Sequence, residues 1–402
     1  MLNTLSFDEA QLRFMLTFSP LTRSSQVPLS RALGRILAMP VYATVDQPPV
    51  DQSAMDGYAV RYSDIVQGAA LRIQQRCYAG DVPAPLAPGC VTRIFTGSLI
   101  PLGADTVVMQ EDAQEIDGCV TFAAAVHPNT HIRYQGEELR ADHLLIEEGT
   151  RIKQGHIGLA AAQGIELVNV FHSTRVGILT IGDELVRPGC VRKVQQIYNS
   201  NAPLLVTLIE GIGATVTNEL HVSDTERAIA LALYELRSRC DLIVTAGGAS
   251  VGEKDLVRAA LTSEGASFVV TGVNMKPGKP AALARYAGIP VVVLPGNPGA
   301  VFSAFTLLAI PLIRRLQGRT NCLPLIYQLP ISFETACDNG RDRFLKVCLE
   351  TSANNTTSLQ MTTQYGAMLT FASADGLCRL PKGISFSHGD VVPFYDFAHW
   401  LT

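Results

Sequence analysis

The chain has 402 residues, 47% of them hydrophobic, and a formal net charge of −4. That length exceeds one ordinary core and predicts roughly two to four domains. The slightly acidic balance argues against a nucleic-acid or membrane-surface protein and for small-molecule or protein partners. The nine cysteines are dispersed, with no Cys-x-x-Cys pair, which reads as reduced thiols in a cytoplasmic protein.

The N-terminus has no basic region followed by an apolar core, so no secretory signal is expected. Ser6-Phe7-Asp8-Glu9 reads as a capping box opening a helix. SFDEAQLRFMLTF (6–18) and PLSRALGRILA (28–38) are amphipathic helix candidates, so residues 1–43 are expected to be helical. From 44 to 140, Pro48-Pro49, Gly68, Gly80, Pro83, Pro85, Pro88 and Gly89 punctuate short β-type runs such as DTVVMQ and CVTFAA, predicting a small all-β domain. Pro48 to Ala59 reads as a dense polar turn, and Asp56-Gly57 alone would suit a hairpin turn. The segment 93–112 likewise places Thr96 and Gly97 in a turn. Residues 141–172 return to a helical pattern, notably HIGLAAAQGI. A chain that leaves a helical region and returns to it implies an inserted domain.

Residues 173–319 alternate between apolar strand candidates and helix candidates. The strands are RVGILTIG, DLIVTAGG, SFVVTG and PVVVLPG; the helices lie near 201–211, 224–239, 254–264 and 299–317. This predicts a three-layer α/β domain with a mostly parallel sheet, whose ligand sits beyond the carboxyl ends of the strands. The most apolar stretch, Ala300 to Ile313, contains Ser303 and Thr306 and is too short to span a bilayer, so it reads as a buried helix. Residues 320–402 lose the helical period and look β-rich, with turns at Asn339-Gly340, Asn354-Asn355 and His388-Gly389-Asp390.

The strand ends of the α/β region carry the chemistry. They run into Gly182-Asp183-Glu184, Gly247-Gly248-Ala249-Ser250, Lys276-Pro277-Gly278-Lys279-Pro280 and Pro295-Gly296-Asn297-Pro298-Gly299. In the second loop, Ser250 and Gly252 precede a helix start near Glu253. Glycines let backbone approach an anion, and a helix N-terminus attracts one. The loop fits neither the P-loop nor the dinucleotide-binding glycine spacing. Asp183, Glu184 and Asp255 would repel a phosphate by roughly 4 kcal/mol each at ~4 Å in an effective dielectric of ~20. Lys276 and Lys279 would attract it. A divalent cation held by the three carboxylates resolves the conflict, so magnesium with a phosphorylated ligand is expected. Ser223 to Glu226 is itself a capping box, which offers Asp224 a structural alternative.

With these residues in view, the chain resembles the molybdopterin molybdenumtransferase family, which includes the enzymatic part of gephyrin. The resemblance covers nearly the whole chain and rests on ALGRILA, SAMDGYAVR, RIFTGSLIPLGADTVVMQE, GDEL, IYNSN, GGASVGEKD, KPGKP and LPGNPGAVFSAF. It implies a helical domain (1–43 and 141–172) with an inserted β domain (44–140), a molybdopterin-binding α/β domain (173–319) and a C-terminal β-barrel-like domain (320–402). It also implies an elongated homodimer that takes adenylylated molybdopterin and molybdate and, with a divalent cation, releases AMP and molybdenum cofactor. In the family the Asp56-bearing domain of one subunit faces the α/β domain of the other. Molybdopterin adenylyltransferase and cofactor-receiving enzymes are the further partners implied.

Carried over onto matching positions, Asp56, Thr96, Glu184 and Asp255 are the implied catalytic residues. Asp224, Gly247, Gly248, Ser250, Gly252, Lys276, Lys279, Pro295, Asn297, Pro298 and Arg341 are the implied substrate-binding ones. The chain departs from the family at Ala246 and Ile181, where hydroxyl residues are usual, and at Glu138 and Ala367. Those departures motivate a rival reading, a non-catalytic pterin-binding or scaffold paralogue. A nucleotide-phosphate hydrolase built on the same α/β domain is a third.

Overall fold

The computed structural model describes residues 4–66, 68–123, 125–248, 255–336, 338, 340–351, 357–362 and 367–402. The chain divides into two compact units. One comprises Pro40–Glu147 with Gln154–Val168; the other comprises Met1–Met39, Glu148–Lys153 and Asn169–Thr402.

The first unit is built on a six-stranded sheet. Its strands run, in spatial order, Thr106–Met109, Gly57–Val60, Cys90–Ile94, Leu71–Cys77, Cys119–Phe122 and Ala113–Ile116. All pairs are antiparallel except Leu71–Cys77 with Cys90–Ile94. Tyr58, Val60, Leu71, Val91, Val108 and Val120 form its main core. The polar segment before Gly57 is bent as expected, but Asp56-Gly57 is no hairpin turn. Gly57 opens a buried central strand and pairs with both Ile94 and Met109. A Cβ at Gly57 would lie 2.0 Å from the Val108 carbonyl oxygen, so only glycine lets these strands close. The expected helix of the second segment forms at Gln154–Ala162.

The second unit contains the α/β sheet. We label its strands β1 (Arg175–Ile181), β2 (Thr215–Val222), β3 (Leu242–Ala246), β4 (Ser267–Val270), β5 (Ala282–Tyr286) and β6 (Ile289–Leu294), and its helices α1 (Asn201–Gly211), α2 (Glu226–Arg237), α3 (Leu256–Ser263) and α4 (Pro298–Leu316). The spatial order is β2-β1-β3-β6-β5-β4. Strands β2, β1, β3 and β6 are parallel, whereas β5 is antiparallel to both its neighbours. Alternate residues fill two cores. Val176, Ile178, Leu242, Val244, Val292 and Leu294 face one; Leu179, Ile181, Ile243, Val291 and Val293 face the other. Burial on both faces explains the unbroken apolar runs. Desolvation opposes ionisation of Asp241, yet hydrogen bonds from Arg175 and the charges of Arg23 and Arg175 hold its carboxyl below the ordinary value.

Helix α4 has the length and composition to cross a membrane, but it is almost wholly buried inside the protein. Its middle turn, Phe305–Ala309, is a π-helical segment packed by the N-terminal helix Phe7–Leu16, where Gln11 Nε2 donates to the Leu307 carbonyl at 2.8 Å. The capping box is present: Ser6 Oγ accepts from the Glu9 amide at 3.3 Å. The second expected helix, 28–38, does not form. Ser24–Pro28 is a strand and Leu29–Arg31 a single 3₁₀ turn. Gly34 then takes φ +77°, and Ile36 and Leu37 bridge to Arg151 and Val170 instead of continuing a helix.

A second six-stranded sheet organises residues 320–402. Met275–Lys276, Asp342–Thr351, Gly376–Leu380, Val391–Asp396 and Tyr327–Pro330 follow in order, with Thr357–Met361 paired to Asp342–Thr351. The first of these strands belongs to the KPGKP loop, so that loop is stitched into the C-terminal sheet. The expected turns Asn339-Gly340 and Asn354-Asn355 include residues outside the described ones.

Candidate active site

The carboxyl end of the α/β sheet, the candidate ligand end, is set by where β1, β3, β4 and β6 stop. Gly247 and Gly248 follow β3 with φ +96° and +64°, backbone that strains any residue with a Cβ. A Cβ on Gly247 would lie 2.3 Å from the Ile181 carbonyl oxygen, so this turn packs directly on the end of β1. Ser250 and Gly252 lie outside the described residues.

After β6, Asn297 caps α4. Its side chain accepts from the Gly299 and Ala300 amides at 3.0 and 3.3 Å, with Pro298 in the first helical turn. Asn201 Nδ2 donates to the Gly296 carbonyl at 2.8 Å and ties the Pro295–Pro298 loop to α1.

The carboxylates divide into two groups. Asp183 and Asp224 engage each other's backbone: the Asp183 amide donates to Asp224 Oδ2 at 3.0 Å, and the Asp224 amide to Asp183 Oδ1 at 3.4 Å. Glu184 folds back over Gly182, where an added Cβ would lie 2.6 Å from Glu184 Oε2. The capping box expected over 223–226 is absent. Thr225 caps α2, its Oγ1 accepting from the Ala228 amide at 3.2 Å, so Asp224 points its chemistry toward Asp183.

Asp255, by contrast, is a structural anchor. It caps α3 by accepting from the Arg258 amide at 3.3 Å, and its Oδ2 lies 2.6 Å from Arg258 Nε. Burial raises the Asp255 carboxyl above its ordinary value, against the opposing pull of Arg258. Arg258 also donates to the Pro280 carbonyl at 2.9 Å, which links the start of α3 to the KPGKP loop. Among the described residues, no group of three His, Cys, Asp or Glu side chains is placed to hold a metal.

Lys276 lies 3.4 Å from Asp338 Oδ2 and is 57% exposed. Asp338 also accepts from the Gly340 amide at 2.9 Å, so the strand entry bearing Arg341 sits against the KPGKP loop. Lys276 pairs with Arg343 across the sheet and, with Lys346, lines a cavity of about 450 Å³. Arg343 and Lys346 escaped the sequence reading: three apart on the strand Asp342–Thr351, they fall on opposite faces by its period of two, so no stripe of charge marks them. His221 escaped it too. Its Nε2 lies 2.9 Å from the Gly182 carbonyl, and it lines a cavity of about 510 Å³ with Arg187 and Asn199.

In the first unit the Thr96–Gly97 turn, with Gly97 at φ +83°, meets the end of the central strand. The Thr96 amide and Oγ1 both donate to Asp56 Oδ1 at 2.8 Å. Those two bonds hold the Asp56 carboxyl below its ordinary value. Arg93 passes behind, donating to the Gly57 carbonyl at 2.9 Å and lying 4.7 Å over the Phe95 ring, which stacks on Tyr78.

Two of the family departures lie in the cores. Ala246 is buried among Val244 and Leu294, and Ile181 among Leu179 and Val257. Hydroxyls do remain near this end of the sheet: Asn199 Nδ2 donates to Thr180 Oγ1 at 2.9 Å. Glu138 is paired with Arg133. The side chain of Ala367 lies outside the described ones.

These features define a class: an α/β protein that gathers glycine turns, helix starts, carboxylates and basic side chains at the carboxyl ends of its strands. Residues 5–164 match the model of the MoeA N-terminal region (domains I and II), and residues 177–315 that of a probable molybdopterin binding domain. The molybdopterin molybdenumtransferase of Haemophilus influenzae is 34% identical over 78% of this chain and 78% of its own length. That of a Nostoc species is 36% identical over 73% and 69%. A solved molybdopterin biosynthesis MoeA protein from Pyrococcus horikoshii superposes with a TM-score of 0.84 at 28% identity, covering 99% of this chain and 100% of that one. The chain belongs to the molybdopterin molybdenumtransferase family.

Proposed function

We propose that this protein inserts molybdenum from molybdate into adenylylated molybdopterin, releasing AMP. The observation that carries the reading is the joining of the Gly247–Gly248 turn, the Asp183–Asp224 pair, the KPGKP loop and the PGNP helix cap at one end of one sheet. The glycine turn brings backbone close to an anion, and the start of α4, whose Gly299 and Ala300 amides Asn297 already caps, adds the positive end of its dipole. Lys276 and Lys279 supply positive charge for phosphate or molybdate oxygens. Asp56, ionised and oriented by two donors from Thr96, supplies a fixed carboxylate to the same reaction. We propose further that the working form is a homodimer, which sedimentation analysis tests directly.

Magnesium fits this donor set in part. It commonly binds through one or two carboxylates and takes its remaining oxygens from phosphate and water. Asp183 and Glu184 are the residues that would hold it, since Asp255 is committed to Arg258 and to capping α3. When bound it would neutralise phosphate charge. Glu184→Gln should slow AMP release, with partial rescue at raised magnesium. Release unchanged at limiting magnesium would remove Glu184 from the metal site.

Lys276→Ala and Lys279→Ala should each weaken binding of the phosphorylated pterin or of molybdate about tenfold, the loss of one charge-assisted contact. Unchanged affinity for both ligands would make these lysines solvated turn residues.

A further inference from the structure

The opposite end of the second unit holds a cavity of about 240 Å³. Ser173 and Gly213, which precede β1 and β2, line it, so it lies at the amino ends of the strands. A seven-residue strand separates the two ends of the sheet by roughly 20 Å. Arg35, Arg151, Arg319, His172, Gln317 and Glu210 supply its polar lining.

Among the described residues, Arg35, Arg151 and Arg319 form no ion pair. Arg319 is 7% and Gln317 4% exposed. Both donate to the Ile212 carbonyl at 2.9 Å, and Arg35 donates to the Phe171 carbonyl at the same distance. These neutral oxygens fix the side chains without cancelling charge. Arg319 Nε and Gln317 Oε1 are buried with no hydrogen-bond partner. Burial, with the neighbouring Arg314 and Arg151 charges, pushes the Arg319 guanidinium down to about 9. The one carboxylate in the lining, Glu210, is solvent-exposed. Three arginines thus line one partly open cavity, and a buried cation without an ion-pair partner is costly.

We propose that this cavity is a second anion site, taking a small tetrahedral oxyanion of the phosphate, sulfate or molybdate class, separate from the ligand-bearing end of the sheet. An oxyanion with a few waters fits its volume, since each water occupies roughly 30 Å³. Arg151 and Arg35 would contact the anion from the half-exposed side and Arg319 from the buried side.

Calorimetric titration of inorganic phosphate, sulfate and molybdate tests this on a Lys276→Ala/Lys279→Ala background, which disables the other anion site and does not depend on the transfer reaction. Binding should persist there. Adding Arg151→Ala, a half-exposed position, should weaken it at least tenfold, and adding Glu210→Gln should tighten it about threefold. Arg319→Met should abolish it; should that variant fail to fold, the Arg151 and Glu210 pair still decides. Comparing the three anions identifies which one the site prefers. No binding by the background protein at millimolar anion, or binding indifferent to both Arg151→Ala and Glu210→Gln, would overturn the assignment.

Discussion

Asp56→Ala should lower molybdenum transfer by at least ~100-fold, the usual scale for removing a positioned ionisable group, while the first unit stays folded. The Asp56 side chain is half-buried and bonded to the Thr96 turn rather than to a sheet partner, so its loss leaves strand pairing in place. Thr96→Val removes only the Oγ1 donor and keeps the amide, so it should cost several-fold. The pH behaviour follows from the direction of the shift. The Thr96 bonds lower the Asp56 carboxyl below 3.8, so it is ionised at every pH above that value. The rate profile should therefore show no acid limb from this group above about pH 4. Turnover of Asp56→Ala equal to that of the unaltered protein would remove Asp56 from the chemistry.

Gly247→Ala should be the most damaging single change at the ligand-bearing end of the sheet. It forces a Cβ into a left-handed backbone at φ +96° and places it 2.3 Å from the Ile181 carbonyl oxygen. The obstacle is backbone at the end of a central strand, so nothing flexible can yield. Strain and overpacking together should cost about 3 kcal/mol or more, visible as a lowered Tm, with loss of pterin binding. Gly265 is the control: φ is +79° but nothing lies within 4 Å, so Gly265→Ala should cost roughly 1–2 kcal/mol. Equal stability for both variants would show that the close approach to Ile181 does not hold the turn.

The α/β unit was the most legible part of the sequence because burial on both faces writes continuous apolar runs. β1, β3 and β6 announced themselves for that reason. Edge strand β2 did not: TVTNELHV alternates exposed and half-buried residues, and only its strict period of two marks it. The stretch 28–38 has helical spacing of apolar residues, yet Pro28 and the left-handed Gly34 favour a strand and bridges. The site was legible as a set of residues but not as partnerships. Thr96 with Asp56 and Asp183 with Asp224 are separated by 40 and 41 residues. Such pairings follow from sheet topology, which local pattern does not encode. Asp255 with Arg258 was within reach, since i and i+3 are neighbours on a helix and Asp at a helix start is a common cap. Reading Asp255 as a catalytic residue and metal ligand overlooked the cation beside it.

The central claim is tested most directly by incubating the purified protein with adenylylated molybdopterin, magnesium and molybdate, and following AMP and cofactor together. AMP release accompanied by formation of active molybdenum cofactor is the predicted result. Tight pterin binding without AMP release, or hydrolysis of other nucleotide phosphates without cofactor formation, would contradict it.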